Sequence, residues 1–299
     1  MKYVRTHETR DKFLADKDST SRGFRLAPTL YKYSDESEDE DNRDHIYLEL
    51  DDPRKHEGST YMEITLNSDV EFSFYIGNKS GDTQTTMTCT VDWGDDTIET
   101  RTIAKDDYGF KLAHNYTAGS YKIELYDVER DYSVVGGTNT KSLISPKESV
   151  KRVVLGEGVV SIGDWTLYIC TSLTSIFIPE GVTSIGSRTF AWCSSLKSIY
   201  IPESVTSIGD RVLDGGKSLK LVYIPEGVIS IVHGMFYGCN SLKSINIPES
   251  VTSIVSQAFD HCTSLTSVYI PEGVTSIGYT AFGTCSSLKS IHIPKELLL

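Results

Sequence analysis

The segment Leu265–Cys285 reads LTSVYIPEGVTSIGYTAFGTC, and close copies of it fill the second half of the chain. The copies align without an insertion, because one proline recurs every 23 residues, at Pro179, Pro202, Pro225, Pro248, Pro271 and Pro294. A strict period of this length is typical of a solenoid, in which each repeat forms one coil and stacks on its neighbours.

Apolar residues fall into columns that define each coil. Leu265 is followed at +3 and +5 by Val268 and Ile270, and alternation places these side chains on the inner side of a short strand. Pro271 ends that strand, because proline cannot donate to a sheet ladder. A second aliphatic pair predicts a second short strand, and a Phe or Leu followed three residues later by Cys predicts one helical or 3₁₀ turn facing the core.

Five of the six cysteines occupy that last column, at Cys170, Cys193, Cys239, Cys262 and Cys285. Stacked coils lie about 4.8 Å apart, so neighbouring thiols could reach disulfide geometry. Core packing is the simpler interpretation, because cysteine is small and readily buried. No Cys-x-x-Cys pair or histidine spacing accompanies the column, so we expect no zinc site.

These columns resemble the consensus of the BspA-like, or Treponema-type, leucine-rich repeat family, roughly Leu-x-x-Ile-x-Ile-Pro-x-x-Val-x-x-Ile-Gly-x-x-Ala-Phe-x-x-Cys-x-x. Leu265–Cys285 is similar to that consensus at almost every defined position. The resemblance implies a repeat scaffold of the kind found in bacterial surface adhesins, some protist proteins and phages. It implies no catalytic reaction.

Composition narrows the range of partners. The 299 residues carry a net charge of -12, which disfavours binding to nucleic-acid phosphates. Apolar residues are periodic rather than continuous, so we predict no membrane insertion. The N-terminus MKYVRTHETRDKFLADKDS lacks the apolar core of a secretory signal, so the chain is expected either to stay in a cytoplasm or to leave by another route, such as phage assembly and lysis.

Residues 1–45 are predicted to be an N-terminal arm and an acidic linker. The run SDESEDEDNRD at 34–44 contains seven acids and cannot bury apolar surface, which favours a solvated linker over a calcium loop. The opening of the arm resembles the N-termini of some Bacteroidetes phage structural proteins. That resemblance implies docking onto other virion proteins; a floppy terminus is the alternative.

Residues 46–136 are predicted to form a small antiparallel β-sandwich. Segments such as 61–66 and 86–93 alternate apolar and polar residues and are separated by glycine-containing turns. The motifs VDWGDDT (91–97) and HNY (114–116) resemble a PKD-type immunoglobulin-like domain, which implies a spacer or binding module. Asp96 stands where that family has a second glycine, which leaves the geometry of the turn open.

Three aspartates of this motif could in principle bind a metal ion. Asp92, Asp95 and Asp96 are better interpreted as turn residues that accept hydrogen bonds from local amides. Trp93 and Tyr116 are interpreted as core residues rather than ligand-stacking groups.

Residues 137–299 are predicted to form the solenoid, joined to the sandwich by a hinge over 131–146. One outward position of each first strand forms a column of mostly aromatic residues: Phe177, Tyr200, Tyr223, Asn246, Tyr269 and His292. Three residues earlier lies a column that contains Lys197, Lys220 and Lys243, and glutamates follow shortly after the strand. Aromatic rings with polar neighbours can stack on sugars or protein side chains, so these nine residues are the predicted ligand-binding site. The alternative is that such columns appear in any solenoid whose coils repeat.

No motif of an enzyme is found: the chain lacks Gly-x-Ser-x-Gly, a P-loop, His-Glu-x-x-His and a dinucleotide fingerprint. We therefore predict a mainly β protein with no catalytic residues, no metal and no cofactor. Its predicted function is non-enzymatic recognition or adhesion, as a phage virion component (head or tail decoration, or fibre) that contacts the bacterial surface. The alternatives are a bacterial or protist cell-surface adhesin and a purely structural virion scaffold.

The predicted partners follow from this organisation. They are a bacterial surface glycan or protein for the solenoid, other virion proteins for the arm, and further copies of the same chain. The expected location is the virion or, alternatively, the cell surface.

Overall fold

The computed structural model describes residues 30–31, 45–46, 60–78, 87–103, 110–126, 132–134, 144–156, 158–294 and 297. The chain divides into two units, Met1–Lys55 and His56–Leu299. In the first unit, β1 (Leu30–Tyr31) pairs antiparallel with β2 (His45–Ile46). The acidic run 34–44 and nearly all of the predicted arm lie outside the described residues.

Seven strands of the second unit form a two-layered antiparallel sandwich. One sheet has the order β3-β8-β5-β6, and the other has the order β9-β4-β7. The strands are β3 (Thr60–Leu66), β4 (Val70–Asn78), β5 (Met87–Asp92), β6 (Ile98–Ile103), β7 (Phe110–Tyr116), β8 (Gly119–Tyr126) and β9 (Tyr132–Val134). Strands β7 and β9 were not among the strands expected from alternation, and β9 lies inside the segment predicted to be a hinge.

Aromatic residues fill the centre of the sandwich. Trp93 and Tyr116 are buried, and the Tyr116 hydroxyl donates a hydrogen bond of 2.7 Å to the Trp93 carbonyl. The Trp93 ring lies edge-on to Phe74, with centroids 6.0 Å apart, and stacks on His114 at 5.1 Å. The interpretation of Trp93 and Tyr116 as core residues is confirmed.

The aspartates beside Trp93 form a tight turn. The Gly94 amide donates to Asp92 Oδ1 at 2.8 Å, and the Thr97 amide donates to Asp95 Oδ1 at 3.2 Å, which confirms the interpretation of these two carboxylates as turn residues. Asp96 has a φ of 67°, so an aspartate occupies the left-handed conformation that a glycine would adopt without strain. Burial favours a higher pKa for Asp95, but hydrogen bonds from His114 and Thr97 outweigh it and lower that pKa.

The remaining strands belong to a β-solenoid with a period of about 23 residues over residues 152–292. Each coil contributes a first strand, a second strand and a turn segment. The first strands are β10 (Val150–Val154), β12 (Ser175–Phe177), β14 (Ser198–Tyr200), β16 (Leu221–Tyr223), β19 (Ser267–Tyr269) and β21 (Ser290–His292). The second strands are β11 (Val159–Ile162), β13 (Ser184–Ile185), β15 (Ser207–Ile208), β17 (Ser230–Ile231), β18 (Ser253–Ile254) and β20 (Ser276–Ile277).

Both sheets of the sandwich continue into the solenoid. Strand β10 pairs antiparallel with β3 and parallel with β12, while β11 pairs parallel with both β9 and β13. The sandwich thus caps the open end of the solenoid at its first coil, which would otherwise expose apolar surface to water. A small apolar cavity of about 30 Å³ remains at this junction, between side chains that include Phe74, Leu125 and Leu167.

The predicted inward columns are buried along most of the solenoid. Leu173, Leu196, Leu219, Leu242 and Leu265 are each no more than 1% exposed. All six cysteines are free thiols. Cys193 Sγ donates to the Leu167 carbonyl of the preceding coil at 3.2 Å, and Cys239, Cys262 and Cys285 make the equivalent contact. Cysteine suits this position because it is small and can donate weakly to an interior carbonyl.

The turn segments contain the expected i, i+3 turn, since the Cys170 amide donates to the Leu167 carbonyl at 3.1 Å and later coils repeat this bond, but part of the backbone is left-handed rather than helical. Two residues in every coil have a φ between 50° and 70°, and nine of these twelve are not glycine. They are Trp165, Arg188, Arg211, Gly234, Gln257 and Thr280, and, four residues later, Ile169, Trp192, Gly215, Gly238, His261 and Thr284. In the first coil, the amides of Trp165 and Ile169 each donate at 2.9 Å to a carbonyl of the next coil. These bonds between coils offset the strain of a left-handed residue, which is about 1–2 kcal/mol.

The prediction of a mainly β fold with a 23-residue solenoid is confirmed. Among the described residues, the 3₁₀ turn Lys147–Ser149 is the only helical segment longer than one residue. Within the same residues, no helix has the length and apolar character needed to cross a membrane.

Candidate recognition surface of the solenoid

The first strands place the predicted site residues in one column on one side of the solenoid. We call this side, with its first strands and residues 244–246, the first-strand wall. Parallel pairing sets Tyr200 opposite Tyr223 and Tyr269 opposite His292. The position between two inward aliphatic residues must point outward, which is why the sequence columns predicted this alignment.

Rings of successive coils stack on one another along this wall. The Tyr200 and Tyr223 rings have centroids 5.0 Å apart and an interplanar angle of 17°. Tyr269 and His292 stack in the same way, at 4.9 Å and 11°. Since each stacked pair covers one face of each ring, the pairs present ring edges and polar tips to a partner.

Glutamates of the preceding coil fix the polar tips of these rings. The Tyr223 hydroxyl donates to Glu203 at 2.5 Å, and the Tyr200 hydroxyl donates to Glu180 at 3.4 Å. His292 Nε2 lies 3.3 Å from Glu272 Oε1. Burial and the hydrogen bond to Glu203 raise the pKa of Tyr223 well above its ordinary value, so this phenol stays protonated.

Asn246 divides the column into two parts. It is exposed and lies in segment 244–246. In the described part of the chain, this is the one coil whose first-strand segment is not a regular strand. Phe177 lies at the other end and is half-buried. The column is therefore two ring pairs with a polar gap between them rather than a continuous stripe.

The three lysines of the predicted site line the outer edge of the same wall. Lys197, Lys220 and Lys243 are exposed, and none forms a salt bridge with a described residue. Their ammonium groups are therefore available to a partner. The structure brings all nine predicted residues to one wall, but whether a ligand binds there stays a prediction.

A family model for the BspA type leucine-rich repeat region matches residues 145–231 and 214–298, with six copies of the repeat. The chain belongs to the BspA-type leucine-rich repeat family. The matched region covers slightly more than half of the sequence and coincides with the solenoid, so the stacked walls described above are built from BspA-type repeats.

Solved structures of leucine-rich proteins give weaker matches. The chain is similar to a leucine-rich cell surface protein from Faecalibacterium prausnitzii (23% identity, 48% of this chain and 60% of that chain, TM-score 0.33). It is also similar to a leucine-rich repeat protein of T. pallidum (25% identity, 54% and 85%, TM-score 0.43). A leucine-rich repeat protein from Bacteroides ovatus matches at 20% identity (60% and 79%, TM-score 0.31). The chain thus spans less than two thirds of the first of these proteins, and a search of curated protein sequences finds no match.

A second set of aromatic and basic side chains was missed by the sequence analysis. It lies on the side formed by the turn segments 164–171, 187–194, 210–217, 233–240, 256–263 and 279–286, which we call the turn wall. Trp192 and Tyr279 are 41% and 83% exposed there. The usable signal in the sequence was variation: these positions differ more from copy to copy of the BspA-type repeat than the columns chosen for the site, in which tyrosine or lysine recurs.

Metal binding finds no support in the geometry. In the ranges that the structure describes, no three His, Cys, Asp or Glu side chains come together as potential metal ligands. Burial raises the pKa of Cys170 to about 12, so this thiol remains protonated and is a poor metal ligand or nucleophile.

Proposed function

We propose that this BspA-type protein is a non-enzymatic recognition protein that binds a partner through the first-strand wall of its solenoid. The observation that carries the proposal is the preorganisation of that wall. Its tyrosine rings are fixed by stacking and by hydrogen bonds to Glu180 and Glu203, so little side-chain freedom is lost on binding.

The chemistry of the wall suits a glycan or a protein surface. Tyrosine edges supply apolar area and hydroxyl groups, while the exposed lysines supply charged donors. The gap at Asn246 adds an amide that can donate and accept between the two ring pairs. A bacterial surface glycan or protein is accordingly the proposed partner.

The sandwich supports this role by holding the solenoid. Because its two sheets continue into β10 and β11, it closes the first coil and fixes the orientation of the wall. We propose that it acts as a spacer of the PKD type, in line with the Trp-Gly-Asp turn and the Asp96 conformation. Attachment by the N-terminal arm stays a prediction, since nearly all of the arm lies outside the described residues.

The proposed place of action is an exposed biological surface. The virion and the cell surface both place the solenoid where it can meet a bacterial envelope. Mass spectrometry of purified virions and of cell-surface fractions would separate the two locations.

The test uses the full chain, since the continuous sheets couple the solenoid to the sandwich. The variant Tyr200→Ala, Tyr223→Ala, Tyr269→Ala is compared with the unmutated protein for binding to intact bacterial cells and to a glycan array. We expect the triple variant to lose binding by about tenfold or more, as truncation of aromatic contact residues commonly does. Tyr279→Ala, which removes an exposed tyrosine from the other wall, is the matched control and should bind normally.

Two results would overturn the proposal. One is equal binding by the triple variant and the unmutated chain. The other is no binding by an unmutated chain whose fold is confirmed by circular dichroism, which would favour a purely structural role in an assembly.

A further inference from the structure

Three cations of the turn wall and its approach lie over aromatic rings. The Arg188 guanidinium is 4.7 Å from the centroid of Trp165, Lys217 Nζ is 5.8 Å from that of Trp192, and Lys147 Nζ is 5.3 Å from that of Tyr168. Each pair is within the range of a cation–π interaction. The three pairs belong to the first coils of the solenoid, next to the sandwich.

None of these cations has a hydrogen bond or a salt bridge to a described residue. The sandwich differs, because Arg101, Lys111 and Lys122 each meet a glutamate there. A ring attracts a cation without occupying its N–H donors. The turn wall and its approach therefore hold three oriented cations whose donors remain available.

Two described acids of this region hydrogen-bond or pair with groups other than these three cations. The Asp164 carboxylate accepts the Ser187 amide at 2.6 Å. Asp214, whose side chain is 4% exposed, forms an ion pair of 3.1 Å with Arg211. Arg211 also donates to Gln257 at 3.0 Å. Its guanidinium therefore has partners within the fold and is not counted among the unpaired cations.

An apolar surface lies beside the cations. Ile169 and Trp192 occupy equivalent positions in adjacent coils and are 36% and 41% exposed. Trp192 rests on the backbone of Gly215, where a Cβ atom would come within 2.9 Å of the ring. Only glycine lets the indole settle against the next coil, so the exposed ring is held in a fixed position.

We propose that this part of the turn wall is a second binding site, specific for a carboxylated polysaccharide. The indole of Trp192 would stack on a pyranose face, while Arg188, Lys217 and Lys147 would donate to uronate carboxylates. The spacing between stacked rings along the solenoid, 5.1 Å at Phe236 and Phe259, is comparable with the length of one sugar residue, so successive coils can meet successive sugars.

The exposed indole supports a sugar polymer as the partner, because an aromatic ring can stack on the apolar face of a pyranose while the unpaired cations meet its carboxylates. Because the net charge of -12 opposes any polyanion, this binding depends on the local cations rather than on overall charge. The site is separate from the first-strand wall and does not depend on the function proposed above.

The test measures binding of the full chain to polygalacturonic acid by tryptophan fluorescence and affinity electrophoresis. Neutral dextran and single-stranded poly(dT) serve as comparison ligands. We expect the unmutated chain to bind polygalacturonate, to lose affinity for it as salt is added, and not to bind dextran. The double variant Arg188→Gln, Lys217→Gln should bind at least about tenfold more weakly. Trp192→Ala should weaken binding at low and high salt alike, because it removes stacking rather than charge.

The matched control is Lys111→Gln, Lys122→Gln, which removes the same charge from the sandwich and should leave binding unchanged. Circular dichroism checks the fold of every variant. The proposal is overturned by no binding of polygalacturonate, by equal loss in the control and the double variant, or by poly(dT) binding as tight as that of polygalacturonate. The Tyr200, Tyr223, Tyr269 triple variant should retain polygalacturonate binding, which separates this site from the first-strand wall.

Discussion

The first-strand wall and the turn wall both carry aromatic rings, but their polar groups have different partners. On the first-strand wall, Tyr223 stacks on Tyr200 and its hydroxyl meets Glu203. On the turn wall, Trp192 meets Lys217, a cation that has no carboxylate partner among the described residues. Repetition explains the first arrangement, because equal residues in successive coils stack and pair with one another. Variation between copies explains the arrangement on the turn wall. A residue type that occurs in one coil has no identical residue in the next coil with which to stack or pair.

The difference extends to the backbone. The first-strand wall is extended and held by parallel pairing, as between β14 and β16. The turn wall is left-handed at two positions per coil and rests on buried thiols. Strain and buried ionisable groups are therefore concentrated on the turn side, and the predictions below test that asymmetry.

Alkaline pH should produce the largest effect. Burial raises the pKa of Cys89, which lies in the sandwich, to about 11 and that of Cys170 to about 12, and it raises those of Cys193, Cys239 and Cys262 as well, so four of these five thiols lie in the turn segments. A raised pKa contributes stability that is complete below the unfolded value, about 8.5, and is lost as the pH rises towards the folded value. At about pH 9.5 each thiol should cost about 1.4 kcal/mol, and the five together about 7 kcal/mol.

Urea unfolding in the presence of a reductant at neutral pH and at about pH 9.5 measures this loss. Cys193→Ala should remove about one fifth of the pH dependence, because it removes one of five similar thiols. Equal stability at the two pH values would show that the thiols ionise in the folded protein and would remove this difference between the walls.

The corner between the second strands and the turn wall should tolerate no added side chain. At Gly209 a Cβ would come within 2.3 Å of the Ser187 backbone nitrogen. Gly209→Ala should therefore lower the free energy of unfolding by about 1–3 kcal/mol, measured by urea titration. Gly273→Ala, whose Cβ would lie 3.4 Å from its nearest neighbour, is the control. A similar loss in both variants would mean that helical or strand propensity, not close approach, sets the cost.

Glycine should have opposite effects on the two walls. Thr280 has a φ of 50° and a buried hydroxyl without a hydrogen-bond partner, so Thr280→Gly should raise stability by about 1 kcal/mol. Thr266 lies on the first-strand wall and donates to the Lys243 carbonyl at 3.1 Å. Thr266→Gly should lower stability by about 0.5–1 kcal/mol. Thermal denaturation compares the two, and a change of the same sign in both would contradict the assignment of strain to the turn wall.

The smallest effect is expected at the polar tip of one ring. Tyr223→Phe keeps the stack on Tyr200 but removes the donor to Glu203, so the free energy of unfolding should fall by about 0.5 kcal/mol. Chemical denaturation measures the change, and Glu203→Gln is a useful partner because it keeps an acceptor oxygen. A loss above about 2 kcal/mol would mean that this hydrogen bond, rather than stacking, holds the wall.

Much of the solenoid could be predicted from the sequence, because a period of 23 residues assigns the same role to each column. The inward positions of Leu265 and Ile270 and the core role of the cysteines followed from that period alone. The left-handed backbone at Arg188 and Trp192 could not be predicted, because neither residue favours that conformation and the bonds that stabilise it come from the next coil. The pairing of β3 with β10 could not be predicted from the sequence either, because it joins segments about ninety residues apart.

The candidate site could be predicted only in part from the sequence. The column of Tyr200 and Tyr223 could be found because equal residues recur, but the interruption at Asn246 became evident only in the structure. The cations over Trp165 and Trp192 were missed, because columns in which one residue type recurs were preferred to more variable ones. In a repeat protein, residues that differ between coils are a better guide to unpaired surface chemistry.

The most direct test of the central claim is binding of the full chain to intact bacterial cells, with four proteins compared side by side. They are the unmutated chain, the Tyr200, Tyr223, Tyr269 triple alanine variant, the Arg188→Gln, Lys217→Gln variant and Tyr279→Ala. Recognition by the first-strand wall predicts that the triple variant alone loses at least about tenfold in affinity for a partner of that wall, while Tyr279→Ala binds like the unmutated chain. Equal binding by the triple variant and the unmutated chain would contradict the account.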